Sequence, residues 1–143
     1  MTAQNQSVLF VCSGNICRSP FAAVMLEKKL WALGLDDVLV ESAGTMDLEP
    51  RRASRLALEV ADEKGLDLSH HLSRHVDRTM LEDAGIVIAM TKAHAEYLEA
   101  LMPGVSEKTI VLEVPDPYGL QKETYRVAFQ VIEDAMPMII DEV

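Results

Sequence analysis

Three short and nearly unbroken apolar runs constrain this chain more than anything else in it: SVLFVC (7–12), AGIVIAM (84–90) and TIVLEV (109–114). Runs of this length without polar alternation suit strands buried on both faces. VLVESAGT (38–45) adds another strand and its loop. The segments between carry helical spacing. SPFAAVMLEKKLWALG (19–34) predicts a helix that Ser19 can cap, with Pro20 in the first turn and Gly34 as the stop. PRRASRLALEVADEKG (50–65) predicts a second, with Ala53, Ala57, Val60 and Ala61 on one stripe. Thr91 opens a shorter helix that ends at Pro103–Gly104. The last helix sets Tyr125, Phe129, Ile132, Met136 and Ile139 at steps of three and four, and Pro137 is expected to kink or shorten it. Strands alternating with helices predict an α/β fold: a single three-layer domain over 1–143, with a four-stranded parallel sheet, helices on both faces and right-handed crossovers.

Composition narrows the function. The formal net charge of -10 argues against nucleic acid, which needs a basic face. It also requires any anion site to be locally positive against the overall field. Two cysteines make no disulfide scaffold and point to a reducing cytoplasm. No apolar run approaches the roughly 20 residues of a membrane span, and the polar start MTAQNQS lacks the pattern of a signal peptide.

In a parallel α/β sheet, ligands bind beyond the carboxyl ends of the strands. There the chain reads FVCSGNICRSP (10–20), a loop between the first strand and the first helix. Free N–H groups and the positive dipole end of a helix attract anions. Gly14 is expected to allow the turns that aim several amides inward. Arg18 adds a planar fork for two phosphate oxygens. Cys12, at the strand end, lies at the bottom of this cradle, where the same charges favour the thiolate. A thiolate beneath a bound phosphoryl group is an in-line nucleophile, and Ser19 can donate a hydrogen bond to its sulfur. The bland alternatives are a metal knuckle, which lacks a second ligand pair, and a permanent disulfide, which a reducing compartment disfavours. For Cys17, a small core residue and a redox partner of Cys12 both stand open.

VCSGNICRSP (11–20) resembles the signature of the low-molecular-weight protein-tyrosine phosphatases. The resemblance continues through SAGT (42–45), SHHLSR (69–74) and DPYG (116–119), nearly the whole chain. It implies no metal and no organic cofactor. It implies a cysteinyl-phosphate intermediate on Cys12, with Arg18, Ser19 and the loop from Ser13 through Gly14, Asn15, Ile16 and Cys17 holding the phosphoryl group. Asn15, Ser42 and His71 match positions that brace the loop. The implied substrate is a phosphorylated protein, a tyrosine kinase among the candidates, and the product is inorganic phosphate. No membrane or nucleic-acid partner is implied, and the expected state is a monomer or weak homodimer.

Expelling a phenolate needs a proton donor that the first loop lacks. Asp116, between two prolines, reads either as that acid or as an ordinary turn residue. The resemblance assigns it as general acid in the first step and general base toward water in the second. Tyr118 then stands at the pocket mouth as an aromatic wall. Many relatives carry further aromatics at positions where this chain has Gly119 and, near Met46, none. His70, His75 and His94 lack partners at ligand spacing and read as surface or structural.

Three other functions compete with phosphotyrosine hydrolysis. Bacterial protein-arginine phosphatases resemble the chain in AMT (89–91) and in one aromatic followed by glycine. They carry threonine where this chain has Ile16, an apolar residue common in tyrosine-specific members. Arsenate reduction needs further cysteines. A non-catalytic oxyanion-binding module needs neither the nucleophile nor the acid.

Overall fold

The run at 7–12 becomes β1 (Ser7–Cys12) in a computed structural model that describes residues 6–143; the polar segment 1–5, part of the stretch read as lacking a signal peptide, lies outside the described residues. β1 sits between β2 (Leu39–Gly44) and β3 (Ile86–Ala89), with β4 (Thr109–Val111) beyond β3. All pairings are parallel, in the order β2-β1-β3-β4. The predicted α/β sheet is therefore present.

β1 explains the unbroken hydrophobicity. Val8, Phe10 and Cys12 pack into one core with α1 (Arg18–Ala32), α2 (Arg55–Glu63) and α5 (Lys122–Glu142). Leu9 and Val11 face the other way, against Leu81 of α3 (Arg78–Asp83) and Leu98 of α4 (Lys92–Leu101). Burial on both faces leaves no position for a polar residue after Ser7, which sits half-buried at the strand's start. In the larger core, the Phe21 and Phe129 rings stack at 3.9 Å and join α1 to α5.

Four expectations fail for local reasons. Ser19 is not the cap of α1: Cys17 is, without a side-chain hydrogen bond, and Ser19 lies in the first turn. The second helix begins at Arg55, not residue 50. Ser54 caps it by accepting the Ala57 N–H, and the segment before it is tied elsewhere, Arg51 to Ser73 and the Ser54 N–H to the Ile16 carbonyl. The fourth strand stops at Val111, because Glu113 adopts φ 57. Pro137 does not end α5, which runs on to Glu142. An interior proline costs about 3 kcal/mol, and burial of Met136 and Ile139 offsets it. The six-residue α3, capped by Asp77, is too short for periodicity to reveal.

No helix among the described residues is long and apolar enough to cross a membrane.

Candidate active site

The loop 13–17 leaves β1 and enters α1 at the carboxyl edge of the sheet. Among the described residues, no backbone N–H from Ser13 to Ser19 meets a protein acceptor. An uncapped helix start next to a run of unpaired amides is a cradle for an oxyanion. Its left-handed residue is Asn15 (φ 58); Gly14, expected to allow the loop's turns, does not adopt a positive φ. Asparagine tolerates this region better than most residues. A Cβ on Gly14 would meet only the Ile16 side chain at 3.6 Å, an ordinary contact.

The strained Asn15 is held from every side. Its side chain is fully buried; Nδ2 donates to Ser19 Oγ (2.7 Å) and Ser42 Oγ (3.0 Å), while Oδ1 accepts the Arg74 N–H (3.0 Å). His71 Nε2 donates to the Asn15 carbonyl at 2.6 Å, and burial lowers the pKa of this histidine. Ser42 and His71 therefore stand where a brace requires them. Gly44, in the SAGT segment, has a role that sequence reasoning missed. A Cβ there would lie 2.5 Å from the Ser13 carbonyl oxygen and 3.1 Å from Asn15, so only glycine lets β2 pass this close beneath the loop.

Cys12 Sγ lies 2.9 Å from Ser19 Oγ. Because Ser19 Oγ already accepts from Asn15, its own proton is available to the sulfur. Of the two roles the sequence left open for Ser19, helix cap and partner of the sulfur, the structure shows the second. Both cysteines are free. Cys17 Sγ sits 3.3 Å from Ser54 Oγ and 3.7 Å from the Tyr125 hydroxyl. Burial raises its pKa and holds it as a thiol. The same pocket pushes Tyr125 up to about 12.

Arg18 is buried, 3% exposed. Nη1 donates to the Val114 carbonyl at 2.9 Å, an atom turned toward it just after the left-handed Glu113. Nη2 lies 3.8 Å from Asp116 Oδ2, longer than a hydrogen bond, which leaves Nη2 free for an oxyanion. Asp116 is exposed, and its Oδ1 accepts the Tyr118 N–H at 3.1 Å in a tight turn. Cys12, Ser13, Gly14, Ile16, Cys17, Arg18, Asp116 and Tyr118 thus surround one cavity of about 100 Å³. Met46 and Leu48 complete its wall, two apolar residues that the motifs did not single out. A larger cleft of about 570 Å³ near Trp31 and Leu66 gathers no cysteine, serine or histidine.

His70 is on the surface, as expected. His94 is buried against Ser13, a contact that no motif announced.

A chain from Geobacillus stearothermophilus named protein-arginine-phosphatase is 34% identical over 144 residues, 94% of each chain. The low molecular weight protein-tyrosine-phosphatase Etp of Escherichia coli K12 is 32% identical, covering 90% of this chain and 88% of that one. The structure of Vibrio vulnificus Wzb in complex with benzylphosphonate superimposes with a TM-score of 0.87 at 30% identity, covering 96% of this chain and 99% of that one. The family described as low molecular weight phosphotyrosine protein phosphatase matches residues 7–143, and with these relatives it places the chain: it belongs to that family of phosphoric monoester hydrolases.

Proposed function

We propose that this protein hydrolyses phosphotyrosine in protein substrates through a cysteinyl-phosphate intermediate. One observation carries the reading. A cysteine sulfur with a hydroxyl 2.9 Å away lies in a cavity rimmed by unpaired amides, a buried arginine and an exposed carboxylic side chain. In the first step the Cys12 thiolate attacks phosphorus in line. The bond from phosphorus to the tyrosyl oxygen breaks, and Asp116 gives that oxygen its proton. Arg18 and the loop amides hold the phosphoryl oxygens as charge shifts between them. In the second step Asp116, now a carboxylate, takes a proton from water. The water oxygen attacks phosphorus, the phosphorus–sulfur bond breaks, and inorganic phosphate leaves. The Ser19 hydroxyl stabilises the departing thiolate.

Tyrosine is favoured over arginine by the apolar wall. Ile16, Met46, Leu48 and Tyr118 line the cavity and suit an aryl ring. Phosphoarginine hydrolysis is the second reading. It is favoured by the 34% identical arginine-phosphatase relative and by Gly119 following a single aromatic, Tyr118. Rates on phosphotyrosine and phosphoarginine peptides, measured side by side, separate the two. Wild type is expected to prefer phosphotyrosine, and Ile16→Thr to move the ratio toward phosphoarginine. A wild-type preference for phosphoarginine would reverse the assignment.

The site needs a phosphorylated protein as its substrate, and a tyrosine kinase is one such partner. Function as a monomer or weak homodimer is consistent with a cavity built within one chain, and a reducing cytoplasm with two free cysteines.

A further inference from the structure

The loop has a second attachment, separate from the contacts of Asn15, that the chemistry above does not use. His94 lies in the first turn of α4, and its N–H donates to Thr91 Oγ1, the helix cap. Its ring is 6% exposed. Nδ1 lies 3.0 Å from Thr91 Oγ1, and Nε2 lies 2.8 Å from Ser13 Oγ. Each hydroxyl can donate or accept, so a neutral imidazole with one N–H and one lone pair satisfies both. Burial first, and the nearby Arg18 charge second, bring the His94 pKa down to about 4, with Asp116 opposing. The imidazole is therefore neutral at neutral pH.

Ser13 follows the nucleophile directly. The Cys12 carbonyl accepts the Thr45 N–H at 2.9 Å, and the Ser13 carbonyl accepts the Met46 N–H at 3.0 Å. These bonds orient the two peptide planes that carry the N–H groups of Ser13 and Gly14, the first two donors of the cradle. The Cα between the planes is still free to tilt unless its side chain is held. We propose that His94 is a positioning residue for phosphoryl binding: through Ser13 Oγ it locks the Cα between those two planes and so aims the first amides of the cradle. The link runs from α4 to the loop, shares no residue with the Asn15 brace, and needs a hydroxyl at position 13 as well as the histidine.

This inference rests on the phosphatase reading, but its first measurement needs no turnover. Binding of inorganic phosphate is measured by calorimetry for wild type, His94→Ala, His94→Gln, Ser13→Ala and the double variant His94→Ala/Ser13→Ala. Thermal unfolding is followed in parallel, and KM and kcat are measured on an aryl phosphate. Loss of one positioning hydrogen bond is expected to weaken phosphate about three- to tenfold. KM should rise by the same factor, with a smaller change in kcat. Ser13→Ala should match His94→Ala, and the double variant should be no weaker than either. His94→Gln, whose amide reaches about as far as Nε2 and can donate or accept, should return binding to within about twofold of wild type. The proposal is overturned if His94→Ala binds phosphate like wild type, if the two single losses multiply in the double variant, or if only the melting temperature falls. Should His94→Ala not fold, Ser13→Ala decides alone, and unchanged phosphate binding by it overturns the proposal. A wild type that binds phosphate without hydrolysing esters would sink the phosphatase reading while leaving the binding series decisive for His94.

Discussion

The phosphate cradle and the acid loop face each other across one cavity, yet they are built on different principles. The cradle is buried and tied many times over: Asn15 alone engages Ser19, Ser42, Arg74 and His71. The acid loop carries Asp116 and Tyr118 exposed, and one local turn hydrogen bond links them. A tetrahedral dianion is the same in every substrate, so its site can be rigid and prepaid in strain, as Asn15 at φ 58 is. The leaving group varies with the substrate, so the groups that meet it stay at the rim.

The contrast has consequences that can be measured. Cys12→Ser removes the chemistry from the cradle while keeping its shape. Turnover should fall by roughly 10⁴-fold or more while phosphate binding survives, and substantial residual hydrolysis would remove Cys12 from the nucleophile role. Asp116→Asn touches only the acid loop. Hydrolysis of esters with poor leaving groups should slow by about 10² to 10⁴, esters with good leaving groups should slow much less, and phosphate should bind as before. An equal loss on every ester would show that the side chain serves structure instead. Gly44→Ala strikes the cradle from beneath, forcing the Ser13 carbonyl and Asn15 to move. Stability should drop by about 1–3 kcal/mol, and phosphate affinity should fall with it; loss of stability at unchanged affinity would mean that the loop is less rigid than its hydrogen bonds indicate.

The smallest effect is in pH. His94, and in the same direction His71, is held below the ordinary histidine value in the folded chain. Between pH 6.5 and about 4 the unfolded chain therefore binds protons that folded His94 refuses. Its contribution to stability is complete above pH 6.5 and is lost as pH falls toward 4. Urea midpoints across that window should decline with falling pH, and His94→Gln should flatten the decline. Parallel curves for the two proteins would place the proton uptake elsewhere.

The residues that gather at the cavity were legible where they are contiguous. Cys12, Arg18 and Ser19 fall within eight positions, and Asp116 sits in a turn whose prolines mark it. What was hidden depends on approach between distant segments. Gly44 carries no signal of its own until Ser13 is seen above it, and His94, read as surface or structural, has no named partner until α4 packs it against the loop. Ser19 was open to two jobs in the sequence, helix cap and partner of the sulfur, and the structure shows the second.

Apolar period and strand–helix alternation are local properties of the chain, and they were enough for a parallel α/β sheet with an anion-binding loop after β1 and a cysteine at its floor. Folding alone settled which residue takes the left-handed turn, which of its two jobs Ser19 takes and that His94 meets Ser13. Each of these is a competition among nearby partners, and its outcome depends on distances of a few tenths of an ångström that only the packed helices and sheet impose.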